Sequence, residues 1–188
     1  MRLTLPTVLI LLFFSATAFA SEEARLADGE ILVTAQNVAG SDVPKAIVKG
    51  VINAPPQRVW DIVSNCDRYE GRLPRIRAAR EIERSGNTVV CEVTVALPFP
   101  ISDLTARTRA THTEGPREWR REWTLIEGDY QRNDGSWVLT PFQGDPNRTL
   151  AVYTVHAEPN SRVPQRLRNR AQESSLPDVI ETLRNLTE

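Results

Sequence analysis

His112, His156, Cys66 and Cys91 are the side chains best suited to metal or nucleophilic chemistry in this chain. Their spacing supports neither. The histidines are far apart without a His-Glu-x-x-His pattern, and the cysteines lack Cys-x-x-Cys spacing, so a zinc site has no support. No Gly-x-Ser-x-Gly elbow and no glycine-rich phosphate loop occurs, which removes the commonest hydrolase and nucleotide signatures. A triad is assembled in space, so His112 stays open as a base, although a lone strand histidine is more commonly a hydrogen-bonded structural residue. Glu81, Glu83, Glu118 and Glu122 alternate with arginines and read as cross-strand ion pairs, not as an acid and a base. The sequence therefore predicts no metal and no cofactor. Its polar candidates are His112, Arg121 and Tyr153.

The residues that position these groups belong to a globular composition: 188 residues, 40% hydrophobic and 25% charged. The charge balances to −1, from 23 basic and 24 acidic residues, so nothing asks for a nucleic acid as partner. Arginine supplies almost all the positive charge. Arg162, Arg166, Arg168 and Arg170 read either as a patch for anionic head groups or as the solvated face of a helix. At the start, Arg2, the apolar run Val8 to Phe14 and Ala18-Phe19-Ala20 have the form of a signal peptide cleaved after Ala20. An uncleaved anchor is disfavoured by Pro6 and by the absence of a flanking charge cluster. Residues 1–20 are thus expected to be a leader and 21–188 a single domain, in the periplasm or secreted. Export would place Cys66 and Cys91 in an oxidising compartment, where they are either bridged or two small buried apolar residues.

Two β-branched runs, Glu30 to Asn37 and Lys45 to Asn53, flank a Gly-Ser-Asp-Pro turn region and predict a hairpin. After Ala54-Pro55-Pro56, the residues Val59, Trp60, Ile62 and Val63 recur at helical spacing, predicting a helix over Pro55 to Asn65 capped near Asn53. A second helical turn is expected over Asp67 to Gly71. Strands are then predicted over Arg77 to Ser85, Asn87 to Leu97, Asp103 to Thr113, Glu118 to Glu127, Gly135 to Phe142 and Thr149 to Ala157. Turn residues separate them, among them Ser85-Gly86, Gly115-Pro116 and Asn133-Asp134-Gly135. After Pro159, the positions Val163, Leu167, Ala171, Leu176, Ile180, Leu183 and Leu186 share a helix face, interrupted at Pro177 by a kink or a break into two helices.

The string Ala54-Pro55-Pro56-Gln57-Arg58-Val59-Trp60-Asp61-Ile62-Val63, with Asp67-Arg68-Tyr69 and Leu73-Pro74, resembles the opening of START-like domains of the SRPBCC superfamily, polyketide-cyclase and coenzyme-Q-binding branch. The exported bacterial members are similar also through Leu97-Pro98-Phe99-Pro100-Ile101-Ser102-Asp103 and the segment Glu158 to Asn169. Leu104 stands where that family often has Arg, and Glu158-Pro159-Asn160-Ser161 stands where it has Asp-Pro-Gly-Gly, so contacts through those residues do not transfer. The resemblance implies an α+β helix-grip fold: a twisted antiparallel β-sheet wrapped around a long C-terminal helix, with two short helices after the first strands. It implies a hydrophobic tunnel between sheet and helix that takes a lipid, quinone, sterol or polyketide.

Side-chain alternation speaks to the same tunnel. Leu104, Ala106, Thr108, Ala110 and His112 share the inward face of one strand, and they are small; either the helix approaches closely or a ligand fills the space. Arg121 falls among Trp119, Trp123 and Leu125, and Tyr153 among Ala151, Val155 and Ala157. A buried Arg121 must meet a carboxylate, a ligand head group or water; otherwise its stem lies on Trp119 and its head in solvent. The ligand-facing set is Trp60, Ala106, Thr108, Ala110, His112, Arg121, Trp123, Tyr153, Leu167 and Ala171, with Phe99 as an apolar lid on the Pro98-Phe99-Pro100 turn. The expectation is a monomeric binding or transfer protein for a hydrophobic small molecule or lipid, with transient membrane contact. The alternatives are an aromatase/cyclase-type enzyme using the same tunnel, and a structural module with the tunnel collapsed.

Overall fold

In the computed structural model the described residues are 21–99, 101–160 and 165–188, with side chains described from 175 onward in the last segment. The leader assigned to residues 1–20, Arg162, and the side chains of Arg166, Arg168 and Arg170 lie outside them. In chain order the elements are α1 (Glu22–Ala27), β1 (Leu32–Gln36), β2 (Lys45–Ile52), α2 (Pro56–Val63), a 3-10 turn (Cys66–Arg68), β3 (Ile76–Ser85), β4 (Thr88–Val95), β5 (Leu104–Glu114), β6 (Trp119–Gly128), β7 (Tyr130–Phe142), β8 (Asp145–Pro159) and α3 (Gln165–Thr187). The strands form one antiparallel sheet in the order β1-β2-β8-β7-β6-β5-β4-β3, and α2 and α3 pack against it. This is the α+β helix-grip arrangement that the sequence resemblance implies.

The core explains the layering. Val59, Trp60, Ile62 and Val63 on α2 and Leu176, Ile180 and Leu183 on α3 meet Ala46, Val48, Ile52, Trp137, Leu139 and Ala151 of the sheet. Burying one such side chain is worth about 1.5–3 kcal/mol, so this cluster is what holds the helices down. Gly50 marks the closest approach: a Cβ built there would stand 2.5 Å from Cγ2 of Ile180. Register shifts between Glu81 and Glu83 in β3 and between Arg107 and Thr108 in β5 insert bulges, which increase local twist and help the sheet wrap.

The structure departs from or narrows the sequence-based expectations in four places. The N-cap of α2 is Pro55, with no side-chain cap, and not Asn53, whose own N–H donates to the Glu188 carboxylate at 2.9 Å. A proline in the first turn removes one of the orphan donors that a capping side chain would serve. Asn133-Asp134-Gly135 is no turn; it lies inside β7. Gly135 is there because a Cβ would stand 2.3 Å from the Thr154 carbonyl oxygen of β8 and 2.4 Å from Cζ2 of the Trp123 ring. The chain reverses instead at Gly128-Asp129, where Gly128 has φ +134° and the Asp129 carboxylate accepts from the Thr105 N–H at 2.7 Å. Of the two alternatives at Pro177, a kink or a break, the break is excluded: α3 runs through as one helix, anchored on either side by Leu176 and Ile180. The helix α1 has no counterpart in the sequence reading. It is capped by the Ser21 hydroxyl and pinned by Leu26 against Leu32, Val51 and Phe142, and it is too short to show a period.

Candidate functional site

The two helices fill only part of the concave face. Beyond the Trp60 cluster, between β4–β8 and the middle of α3, the side chains leave a cavity of about 330 Å³. That is at the lower end of the roughly 300–1,000 Å³ range of small-molecule sites. Val93, Val95, Leu97, Pro98, Ile101 and Leu104 form one wall, Trp123, Trp137, Tyr153 and Val155 another, and Leu176 and Val179 of α3 the roof. The space exists because Ala106, Thr108 and Ala157 stop short of the roof. Tyr153 packs on Trp137 at 4.5 Å and stacks on Trp123 at 6.0 Å between ring centroids, giving a flat aromatic surface.

Polar groups on this wall are few. Arg121 is only 3% exposed. Its Nη1 donates to the Ser64 carbonyl at 3.3 Å and to His112 Nε2 at 2.7 Å, and its Nη2 donates to Cys91 Sγ at 3.2 Å. A guanidinium has no acceptor, so Nε2 of His112 must accept and Nδ1 carries the proton. Burial, reinforced by the Arg121 charge, pushes His112 down to about 4, so the ring is neutral at ordinary pH. Cys91 in the middle of β4 is bridged to Cys66 in the turn after α2, with Cα atoms 6.3 Å apart. The Tyr69 hydroxyl donates to the Val63 carbonyl at 2.5 Å. Burial raises the pKa of Tyr69, Tyr130 and Tyr153, Tyr130 to about 12, so all three stay protonated. Asn133 accepts from Trp123 Nε1 at 3.2 Å, and the Ser175 Oγ is buried without a hydrogen-bond partner among the described residues.

Of the residues assigned from the sequence, Ala106, Thr108, Arg121, Trp123 and Tyr153 line the cavity. Trp60, Ala110 and His112 are buried outside its wall. Trp60 belongs to the α2 core and meets His112 edge to face at 5.1 Å. Alternation placed Ala110 and His112 on the correct face of β5, but only the 104–108 end of that face borders the cavity. Phe99 is 97% exposed and is no lid; Leu97, Pro98 and Ile101 form the wall at that turn. The side chains of Leu167 and Ala171 lie outside the described residues. Sequence reasoning missed Val93, Val95, Asn133, Ser175 and Val179. The alternation Cys91, Val93, Val95 would have given the first two, whereas reading Asn133 as a turn hid that residue.

His156 is 1% exposed, with Nε2 at 3.2 Å from Ser41 Oγ, which lies 3.0 Å from Glu158 Oε2. A serine, a histidine and a carboxylate thus meet, but the carboxylate contacts the serine and not Nδ1, and strand alternation puts His156 on the face of β8 opposite Tyr153. The group fastens the β1–β2 loop to β8.

Residues 52–184 match the family described as polyketide cyclase / dehydrase and lipid transport. No curated protein matches the whole sequence significantly. Among solved structures, a fragment of the STAR-related lipid transfer protein from Xanthomonas axonopodis is 17% identical, with a TM-score of 0.72, covering 89% of this chain and 95% of that one. Human StAR-related lipid transfer protein 5 is 13% identical, with a TM-score of 0.71 and coverages of 85% and 82%. The Zhui aromatase/cyclase from Streptomyces sp. R1128 is 16% identical, with a TM-score of 0.58 and coverages of 76% and 89%. At such identities the likeness establishes the fold.

Proposed function

The chain belongs to the polyketide cyclase / dehydrase and lipid transport family, and from that premise we propose that it is an exported carrier that binds one hydrophobic molecule in the sheet–helix cavity and transfers it. The observation that carries the reading is the cavity itself, a space of about 330 Å³ walled mainly by aliphatic and aromatic side chains. Water in such a space lacks partners, so apolar surface has a driving force to replace it, at about 25 cal/mol per Å² buried. Export is supported by the form of the leader, Arg2, Val8 to Phe14 and Ala18-Phe19-Ala20.

The aromatase/cyclase alternative requires a group that moves a proton near neutrality. His112 is a weak base facing Arg121 and Trp60, and the Tyr153 hydroxyl is held protonated by burial, which favours carriage over catalysis. Native mass spectrometry of the protein purified from its own compartment, followed by solvent extraction, tests the reading. A stoichiometric lipid or quinone-like molecule is the expected result. A ligand-free protein that turns over an aromatic polyketone would overturn it.

A further inference from the structure

Arg121 is a cation within an apolar cavity, and its described partners are a carbonyl, a neutral imidazole and a disulfide sulfur. No carboxylate among the described residues balances it. Such a charge is costly to bury unpaired. Its donors divide unevenly. Nη1 is committed to Ser64 and His112, and one hydrogen of Nη2 lies on Cys91 Sγ. Nε–H and the second Nη2 hydrogen have no described partner.

From this geometry, and resting on the carrier reading, we propose that the ligand is a single-chain amphiphile bound head-inward, with a carboxylate on the Nε and Nη2 edge of Arg121. A carboxylate matches a planar guanidinium in both geometry and charge. A phosphate monoester, at about −1.5 to −2, would leave charge unbalanced in the same space. Ser175 stands on the α3 side of the same cavity. The tail follows from the register. Cys91 pairs with Thr108, Val93 with Ala106 and Val95 with Leu104, so the wall becomes aliphatic from the Arg121 end toward the Leu97–Ile101 turn. The size follows from the volume: at about 330 Å³ the cavity lies at the lower end of the roughly 300–1,000 Å³ range of small-molecule sites, which suits one acyl chain better than two. Arg75 also lines the cavity but is exposed at its rim, so it is the rival cation for the head group, and its own variant tests that alternative.

The test uses decanoate, 1-decanol and methyl decanoate with the wild type, Arg121→Gln and Arg75→Gln, by titration calorimetry. The wild type should prefer decanoate to both neutral probes by roughly tenfold or more, the scale of a charge-assisted hydrogen bond. Arg121→Gln should abolish the preference and keep decanol binding, and Arg75→Gln should keep the preference for decanoate. Equal wild-type affinity for the three probes would overturn the head-group assignment while the carrier reading stands. Failure of all three to bind would overturn both. Loss of the preference in Arg75→Gln alone would move the head to the rim and overturn the assignment to Arg121. Should Arg121→Gln fail to fold, carboxyl-13C-labelled decanoate in the wild type decides by NMR. Contact with the guanidinium keeps the bound carboxyl ionised to lower pH than in buffer; titration at or above the buffer value overturns the proposal.

Discussion

His112 shows how a residue conspicuous for its chemistry ends up serving architecture. Its imidazole is buried between the Trp60 ring and the Arg121 guanidinium, and its pKa falls to about 4. The folded state therefore resists protonating this ring, whereas an unfolded chain takes the proton at the ordinary value of about 6.5. The stabilisation is fully present above pH 6.5 and is lost as pH falls toward 4, because only the unfolded state gains the proton in that window. The melting temperature of the wild type should thus fall between pH 6.5 and 4. His112→Gln, which keeps an acceptor for Arg121, should show a flatter profile over that interval in paired thermal melts. An unchanged slope would mean that other groups dominate it. Alternation along β5 put His112 on the inward face, a period-two matter, and left Arg121 of β6 open between a buried head and one in solvent. It could not disclose that they bond to each other, because the pairing of His112 with Arg121 depends on the register of two strands, and register is fixed by the whole sheet.

At the level of elements, the sheet was legible wherever turn chemistry and alternation agreed, and it misled where a glycine served packing. Gly135 looked like a turn and is a seat for Trp123; Gly50 carried no signal and is where α3 lies closest to β2. These contacts make a prediction for each glycine. Gly50→Ala must displace Ile180, so it should lower stability by about 1–3 kcal/mol, as overpacking does, in denaturant unfolding. Gly135→Ala must displace both the Thr154 carbonyl of β8 and the Trp123 ring, so it should lower stability and, since Trp123 lines the cavity, change ligand affinity and Trp fluorescence together. The cavity makes a third prediction. Thr108 borders it and Ala110 does not, so Thr108→Trp should block decanol binding while cooperative unfolding persists, and Ala110→Trp should instead cost stability. Reversal of these two outcomes would place the open space further along β5. The cavity's extent was not legible in the sequence, because small residues such as Ala106 and Ala110 read alike whether a helix or a void faces them.

Considered whole, the molecule is a sheet closed by α3, and a ligand must enter past the rim of the cavity. Among the described residues the weakest part of that boundary is the turn between β4 and β5. Few backbone bonds hold it: Ile101 N–H donates to the Pro98 carbonyl at 3.0 Å, and Leu97 N–H donates to the Asp103 carboxylate at 3.3 Å. Asp103 also pairs with Arg77 on β3, so one carboxylate fastens the turn to the neighbouring strand. An exposed pair contributes about 0–1 kcal/mol and a single hydrogen bond about 0.5–1.5 kcal/mol, so opening here is cheap beside breaking the α2–α3 core. The opposite side is fastened differently. The Cys66–Cys91 bridge ties the turn after α2 to β4, and with the cysteines 25 positions apart closure entropy contributes about 3 kcal/mol. Entry should therefore occur past Leu97 and Ile101, away from the bridge. Asp103→Ala should raise both the association and dissociation rates of decanol with little change in affinity, as loosening a gate does when the bound state is untouched. Hydrogen exchange supplies the independent reading: added decanol should slow exchange at Leu97 and from Ile101 to Leu104. Protection confined to Gly86, Asn87 and the bridged end of β4 would put the mouth beside the disulfide, and Asp103→Ala would then leave the rates unchanged.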